Sequence, residues 1–180
     1  GIGLEQGFSM NGGGILQSTE TAANTYVNGF VFEGIFGELA IGRTLFELYD
    51  TVLNKAIYQV RISNAGKLEV INGGGAIAYE AATNMGLGQQ STYITFSHEP
   101  GLAPTVQVDS NPQVSLGITT PITWTNTTKW VVGAHLNAGV YSENTALVKA
   151  FKIHLASSTV DAANLQAFLH QSNWAFIGNT

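Results

Sequence analysis

Catalysis needs acids, bases, nucleophiles or metal ligands at fixed spacing, and this 180-residue chain supplies twelve Asp and Glu residues, four His and no Cys. Without Cys there is no thiolate nucleophile, no thiolate metal site and no disulfide framework. His98, His135, His154 and His170 sit in separate segments, without the close spacing that a zinc site draws on. His135 and His154 fall in strand-like stretches, which predicts partly buried, hydrogen-bonded side chains. No Gly-x-Ser-x-Gly elbow is present to raise a serine for acyl transfer. Glu33 and Glu38 are an odd number of residues apart and would face opposite sides of a regular strand. The chain is therefore expected not to be an enzyme.

Ligand recognition asks for less. A pyranose has an apolar face ringed by hydroxyls, and an aromatic ring flanked by amides and carboxylates meets both. Two stretches fit. Trp124 and Asn126 stand in the polar run 123–126, and Asn137, Tyr141, Glu143 and Asn144 belong to a polar run between two apolar ones. These six are the candidate ligand-binding residues. The competing reading of Trp124 is a rim aromatic that seals the core edge, while Trp130 opens an apolar segment and is assigned to the core. Calcium takes oxygen ligands from loops, and Asp109 and Asn111 are the candidate metal ligands. Against that, Asp and Asn occupy turns for backbone reasons alone. Asn126-Thr127-Thr128 also matches a glycosylation acceptor, relevant only in a secretory eukaryotic setting.

Period-two patterns supply the scaffold for these residues. Strand-like segments run 26–36, 43–49, 56–63, 67–72, 91–98, 105–109, 130–136 and 147–155, separated by Gly, Asn, Pro and Ser. Tyr58, Val60 and Ile62 alternate with Ile57, Gln59 and Arg61, so the first set is expected to face the core and the second a wetter side. Asn64-Ala65-Gly66 puts Gly where a positive φ is wanted, and Asp109-Ser110-Asn111-Pro112 supplies Asx and Pro turn formers; both predict hairpins. Gly12-Gly13-Gly14 and Gly73-Gly74-Gly75 read as tight turns, since neither leads into a helix with the Lys-Ser/Thr ending of a phosphate loop.

The end of the chain breaks the strand pattern. Ser158 followed by Asp161 has capping-box-like spacing, and Leu165, Phe168 and Leu169 share a helical face that leaves out Gln166, His170 and Gln171. A short helix is expected near residues 159–171. Trp174-Ala175-Phe176-Ile177 is expected to form a last strand pairing with Gly14-Ile15-Leu16. With no linker and no fixed-period repeat, residues 1–180 read as one domain.

Composition narrows the setting. Charged residues make up only 11% of the chain, against about 25% in an average globular protein. The 44% of apolar residues recur in short alternating runs, which predicts an ordered fold rather than disorder. A net charge of −5, with seven scattered Lys and Arg, disfavours nucleic acid as a partner. No apolar run approaches the ~20 residues that cross a bilayer. The N-terminus lacks the basic-then-apolar order of a signal peptide, and Gly1-Ile2-Gly3 fits a processing boundary with an upstream region behind it.

The order of these pieces resembles the concanavalin A-like lectin/glucanase superfamily, with its laminin-G-like and pentraxin-like branches. The likeness is one of pattern and covers nearly the whole chain. It rests on 26–34 and 43–48 as early strands, the hairpin 58–70, and the paired strands 93–98 and 104–109 leading to an Asp turn. Segments 130–134 and 150–154 and the helix near Asp161 complete it. Where the family often has Asp-Gly, this chain has Asp109-Ser110-Asn111-Pro112, which changes the turn type. The resemblance implies an all-β, two-sheet antiparallel jelly roll with a concave face or rim loops open to ligands, often sugars, sometimes with calcium. Glycosidases of the superfamily carry Glu-x-Asp-x-Glu along one strand, and that triplet is absent here.

Three functions compete. The favoured reading is a non-catalytic module for a carbohydrate or cell-surface receptor on a viral (phage) fibre, tailspike or other virion surface, or in an extracellular setting. The Gly-, Asn- and Thr-rich, charge-poor, Cys-free composition is similar to that of phage fibre proteins. Its partners would be a glycan or host receptor, other virion proteins and copies of itself, as in a trimer, with no nucleic acid, no membrane insertion and no cofactor beyond a calcium ion. The alternatives are a structural decoration or assembly module without a ligand, and a glycoside hydrolase with an atypical site.

Overall fold

Alternating apolar residues sort the side chains of each strand between a shared interior and an outer face. The computed structural model describes residues 8–11, 15–18, 29–37, 39–85, 91–123, 128–143, 147–156 and 161–177. In chain order the first strands are β1 (Phe8–Asn11), β2 (Ile15–Ser18), β3 (Phe30–Gly37), β4 (Thr44–Asp50), β5 (Lys55–Ile62), β6 (Leu68–Asn72), β7 (Ile77–Glu80) and β8 (Thr92–His98). Then come β9 (Thr105–Val108), β10 (Val114–Ser115), β11 (Gly117–Ile118), β12 (Thr128–Val132), β13 (His135–Asn137), β14 (Val140–Ser142), β15 (Leu147–Leu155) and the helix α1 (Ala162–Ile177).

The larger sheet is ordered β1-β2-β12-β4-β5-β6-β7-β11, with the hairpin β13–β14 joined to β5 off this path. The smaller is ordered β10-β9-β8-β3-β15. Neighbouring strands run antiparallel. This is the two-sheet antiparallel sandwich that the sequence predicts. Phe30, Phe32 and Phe36 of β3 and Phe96 of β8 meet Phe46, Tyr58, Val60, Trp130 and Val132 of the larger sheet in the core. Phe32 stacks on Phe46 at 4.2 Å, and Trp130 meets Phe30 edge-on at 5.1 Å, so Trp130 is a core residue as expected.

The turn at 64–66 and the turn at 109–112 both join antiparallel neighbours, with Gly66 at φ 76° and Asp109 at φ 48°. Gly73-Gly74-Gly75 turns β6 into β7, as its tight-turn reading requires. The segment 130–136 is not one strand. Gly133, at φ 91°, donates its N–H to the Leu45 carbonyl at 2.8 Å and turns the chain from β12 into β13.

The helix departs furthest from expectation. Asp161 is its cap: the carboxylate accepts the Ala163 N–H at 2.8 Å and the carbonyl accepts the Leu165 N–H at 3.0 Å. No Gly or Pro interrupts the chain from there to Ile177, so the helix continues through Trp174-Ala175-Phe176-Ile177, which is not a strand. Strand β2 pairs instead with β1 and β12. The face of α1 is also rotated from the expected one. Ala162, Gln166 and His170 are buried, whereas Phe168 is 66% exposed. The reason lies in the surface beneath it: the outer residues of β8 and β9 are Tyr93, Thr95, Ser97 and Thr105, and they select a hydrogen-bonding face. Among the described residues no helix is long and apolar enough to cross a membrane.

Candidate functional site

The two sandwich faces are used differently. On the smaller sheet, α1 consumes the polar groups below it. Gln166, fully buried, accepts from Ser97 Oγ at 2.7 Å, from Gln113 Nε2 at 2.9 Å and from the Thr105 hydroxyl, and donates to the Thr95 carbonyl at 2.9 Å. His170 takes the Thr95 hydroxyl on Nδ1 at 2.8 Å and donates from Nε2 to the Asp109 carbonyl at 2.6 Å.

On the larger sheet, register sets Val131, Glu47, Gln59 and Ile71 abreast across β12, β4, β5 and β6, and Arg61, Glu69 and Glu80 abreast across β5, β6 and β7. Paired residues share a face, so these side chains line the outside of the sheet. The hairpin β13–β14 folds over part of this row. Its two-residue turn, Ala138 at φ 48° and Gly139 at φ 82°, has the primed geometry that suits strand twist, and Asn137 pairs with Lys55 of β5.

A network ties the hairpin to the row. Glu47, with no exposed surface, accepts from His135 Nδ1 at 2.8 Å and from the Leu136 N–H at 2.7 Å. Burial pushes the Glu47 carboxyl up and the bond to Glu47 pushes His135 up, so the pair retains a proton beyond the ordinary histidine range. Glu143 lies just past the hairpin at φ 52°, a conformation that costs a non-glycine residue energy and is sustained by its contacts. Its carbonyl accepts the Thr44 N–H at 2.9 Å. Its carboxylate accepts from Thr44 Oγ1 at 2.8 Å, Gln59 Nε2 at 2.6 Å and Arg61 Nη1 at 3.0 Å. Arg61 also faces Glu69, Nε to Oε1 at 3.4 Å. Tyr141 packs beside this network against Tyr49, Val131, Ala134 and Leu136, and the Tyr49 hydroxyl donates to Asn54.

Of the residues singled out for ligand binding, Tyr141 and Glu143 come together beside the network, while Asn137, on the same hairpin, pairs with Lys55 at the other end of β5 from Arg61. Trp124, Asn126 and Asn144 lie outside the described residues. So does Glu38. Asp109 and Asn111 sit on the other sheet, in the β9–β10 turn. Asp109 Oδ1 accepts the Tyr93 N–H at 2.8 Å, and the Asn111 carbonyl accepts from Gln107 Nε2 at 3.0 Å. Among the described residues no three His, Asp or Glu side chains gather as a metal site would need. Sequence reasoning missed Thr44, Glu47, Gln59 and Arg61 as members of the site. Only the alternation of Gln59 and Arg61 with Tyr58 and Val60 pointed to their shared face.

A second cluster lies beneath the C-terminal half of α1. Glu33, on the outer side of β3, accepts from the Tyr93 hydroxyl at 2.7 Å, from Asn173 Nδ2 and from His154 Nε2. Burial opposes its charge, but these bonds outweigh burial and hold the carboxyl below its usual range. Tyr93 stacks on His170 at 4.6 Å and lies parallel to Trp174 at 6.3 Å. His135 and His154 are therefore both partly buried and hydrogen-bonded, as their strand positions predict.

No family model and no curated protein matches the chain. Solved structures do. Domain 4 of an extracellular arabinanase from Geobacillus stearothermophilus, in complex with arabinotriose, aligns with a TM-score of 0.58 at 15% identity over 87% of this chain and 74% of its own. A carbohydrate-binding module of the Ruminococcus gnavus IT-sialidase, bound to α2,3-sialyllactose, aligns with a TM-score of 0.54 at 8% identity over 80% of this chain and 84% of its own. The enzymatically active domain of tailspike protein 2 from bacteriophage CBA120 aligns with a TM-score of 0.52 at 12% identity, over 84% of this chain and only 25% of its own. At these identities the likeness is one of fold. The shared fold is the two-sheet antiparallel sandwich that the sequence predicts.

Proposed function

We propose that this chain is a carbohydrate-binding module that takes its saccharide on the outer face of the larger sheet, beside the β13–β14 hairpin. The observation that carries the reading is the network of Thr44, Gln59, Arg61 and Glu143. Its polar side chains are fixed by one another, while Arg61 and Glu143 keep 21% and 26% of their surface exposed on a face that α1 does not cover. Groups held in place before the ligand arrives lose little entropy on binding. Gln59 and Thr44 are buried and hold the other two in place, so the exposed edges of the Glu143 carboxylate and the Arg61 guanidinium offer an acceptor and donors to vicinal hydroxyls. Tyr141 packs on the same hairpin, and Asn137 lies further along it, paired with Lys55. The saccharides bound by the arabinanase and sialidase domains of similar fold support the same reading.

A binding role rather than catalysis is favoured because Glu47 is fully buried, and the partly exposed Glu143 carboxylate is held in place by three donors from its own chain. For the setting we infer an exposed viral fibre or tailspike, with self-assembly into a trimer adding avidity. The charge-poor composition and the tailspike domain of similar fold support it.

The test is a glycan array followed by calorimetry on any hit. Asn137→Ala and Arg61→Lys are expected to weaken binding about tenfold each, the effect of one lost hydrogen bond to a charged or well-placed group. A protein that binds nothing on animal, plant, bacterial and algal panels, or one whose binding ignores both variants, would overturn the assignment.

A further inference from the structure

Beneath the last two turns of α1, β3, β8 and β15 leave a cavity of about 250 Å³. We propose that it is a second ligand site, separate from the saccharide face, for a single-ring hydroxyaryl carboxylate. Its size sets the first limit, lying just below the ~300–1,000 Å³ typical of drug-sized ligands. Its chemistry sets the second. The walls include Ile35, Phe176 and Ile177, and such walls would strand most hydroxyls of a sugar without partners. A flat aromatic ring meets them without loss.

The polar side chains of the lining are Glu33, Tyr93, Asn173 and Lys152. Tyr93 and Asn173 both donate to Glu33, and Asn173 also donates to the Tyr93 oxygen, which leaves Asn173 Oδ1 to accept from a phenolic hydroxyl. The Glu33 charge is itself met by three donors from the chain. Lys152 is the register partner of Glu33 across β15 and β3 and, unlike Glu33, is exposed and, among the described residues, in no ion pair. Its ammonium suits the carboxylate of the ligand. Phe176 forms the lip and is 81% exposed, so a ring laid against it removes apolar surface from water.

The experiment is a titration of the isotopically labelled protein with 4-hydroxybenzoate, read by backbone amide shifts. Saturable shifts at Gly34, Lys152, Asn173 and Ile177 are expected. Lys152→Met, at an exposed position, should weaken the affinity about tenfold, and benzoate, without the hydroxyl, should bind more weakly than 4-hydroxybenzoate. No saturable shift up to about 10 mM, where even a weak site would fill, would overturn the proposal. So would shifts confined to the β13–β14 hairpin, unchanged affinity in Lys152→Met, or a preference for glucuronate. Asn137 and Gln59 amides report the saccharide face separately, so failure at one site leaves the other standing.

Discussion

Tyr58 of β5 and His98 of β8 hydrogen-bond across the core, Oη to Nδ1, at 2.8 Å. His98 Nε2 lies 3.0 Å from the Leu102 carbonyl, which can only accept, so Nε2 carries the proton and Nδ1 accepts from the tyrosine. The imidazole is therefore built to be neutral. Protonation would set a second donor against the Tyr58 hydroxyl in a closed interior.

Acid should unfold the protein for this reason. Burial drags His98 down to about 4, with the Leu102 bond opposing, and burial lowers His170 as well. A depressed histidine gives stability that is full above its unfolded value near 6.5 and is lost as pH falls from there toward 4. For His98 the loss is on the order of 3 kcal/mol. Urea midpoints at pH 7, 5.5 and 4.5 should fall in turn, and His98→Gln should flatten the decline. Constant midpoints across that range would sink the idea.

Gln166 is the peg that seats α1. Its amide bridges β8, β9 and Gln113, so Gln166→Ala leaves several buried partners unpaired and should cost about 2–4 kcal/mol. Gln166→Glu tests the direction of one bond. It replaces the amide that donates to the Thr95 carbonyl by an oxygen, so the loss should be larger at pH 8, where the new side chain is charged, than at pH 5. Equal losses at both values would mean that the amide nitrogen is not needed there.

Gln166 also shows where the sequence stopped being readable. Strand positions and the Tyr58-Val60-Ile62 face could be read because a two-residue period states which side is buried. The helix start was legible because Asp161 caps it by local chemistry. Its face was not, since Leu165, Phe168 and Leu169 imply an apolar seat, and only the neighbouring sheet, with Thr95, Ser97 and Thr105 outward, reveals a polar one. The site was half legible for a similar reason. Tyr141 and Glu143 stood out locally, but their partners Gln59 and Arg61 are brought beside them by the β4–β5–β6 register. Glu33 and His154, 121 residues apart, carry no local signal of their bond.

Gly34 is required by two rings. A Cβ there would lie 2.4 Å from Phe36 Cε2 and 2.9 Å from Phe32 Cε1. Phe32 is pinned by its stack on Phe46 and cannot swing aside. Gly34→Ala should therefore destabilise by about 1–3 kcal/mol, the usual penalty of overpacking. Gly74→Ala, whose Cβ would meet only Asn72 Oδ1 at 3.4 Å, is the control expected to stay within about 1 kcal/mol. Matching denaturation curves for the two variants would refute the steric account.

Glu47 and His135 should make the hairpin respond to alkali in the opposite sense. His135 is raised by its bond to Glu47, so its stabilising charge is present below about 6.5 and is lost as pH rises through the raised value. Glu47 is raised by burial and acts in the same direction, since a carboxyl that prefers its proton loses stability as pH climbs. Glu47→Gln keeps an acceptor for the Leu136 N–H and presents an amide donor to a neutral His135, so it should remove the dependence while leaving the hairpin in place. The His135 ring protons, followed by NMR from pH 6 to 9, should titrate above the ordinary histidine range in the parent protein and near it in Glu47→Gln. If both titrate alike, the bond to Glu47 does not hold the proton. The hairpin's grip on the sheet would then rest on Tyr141, Leu136 and the Glu143 network alone.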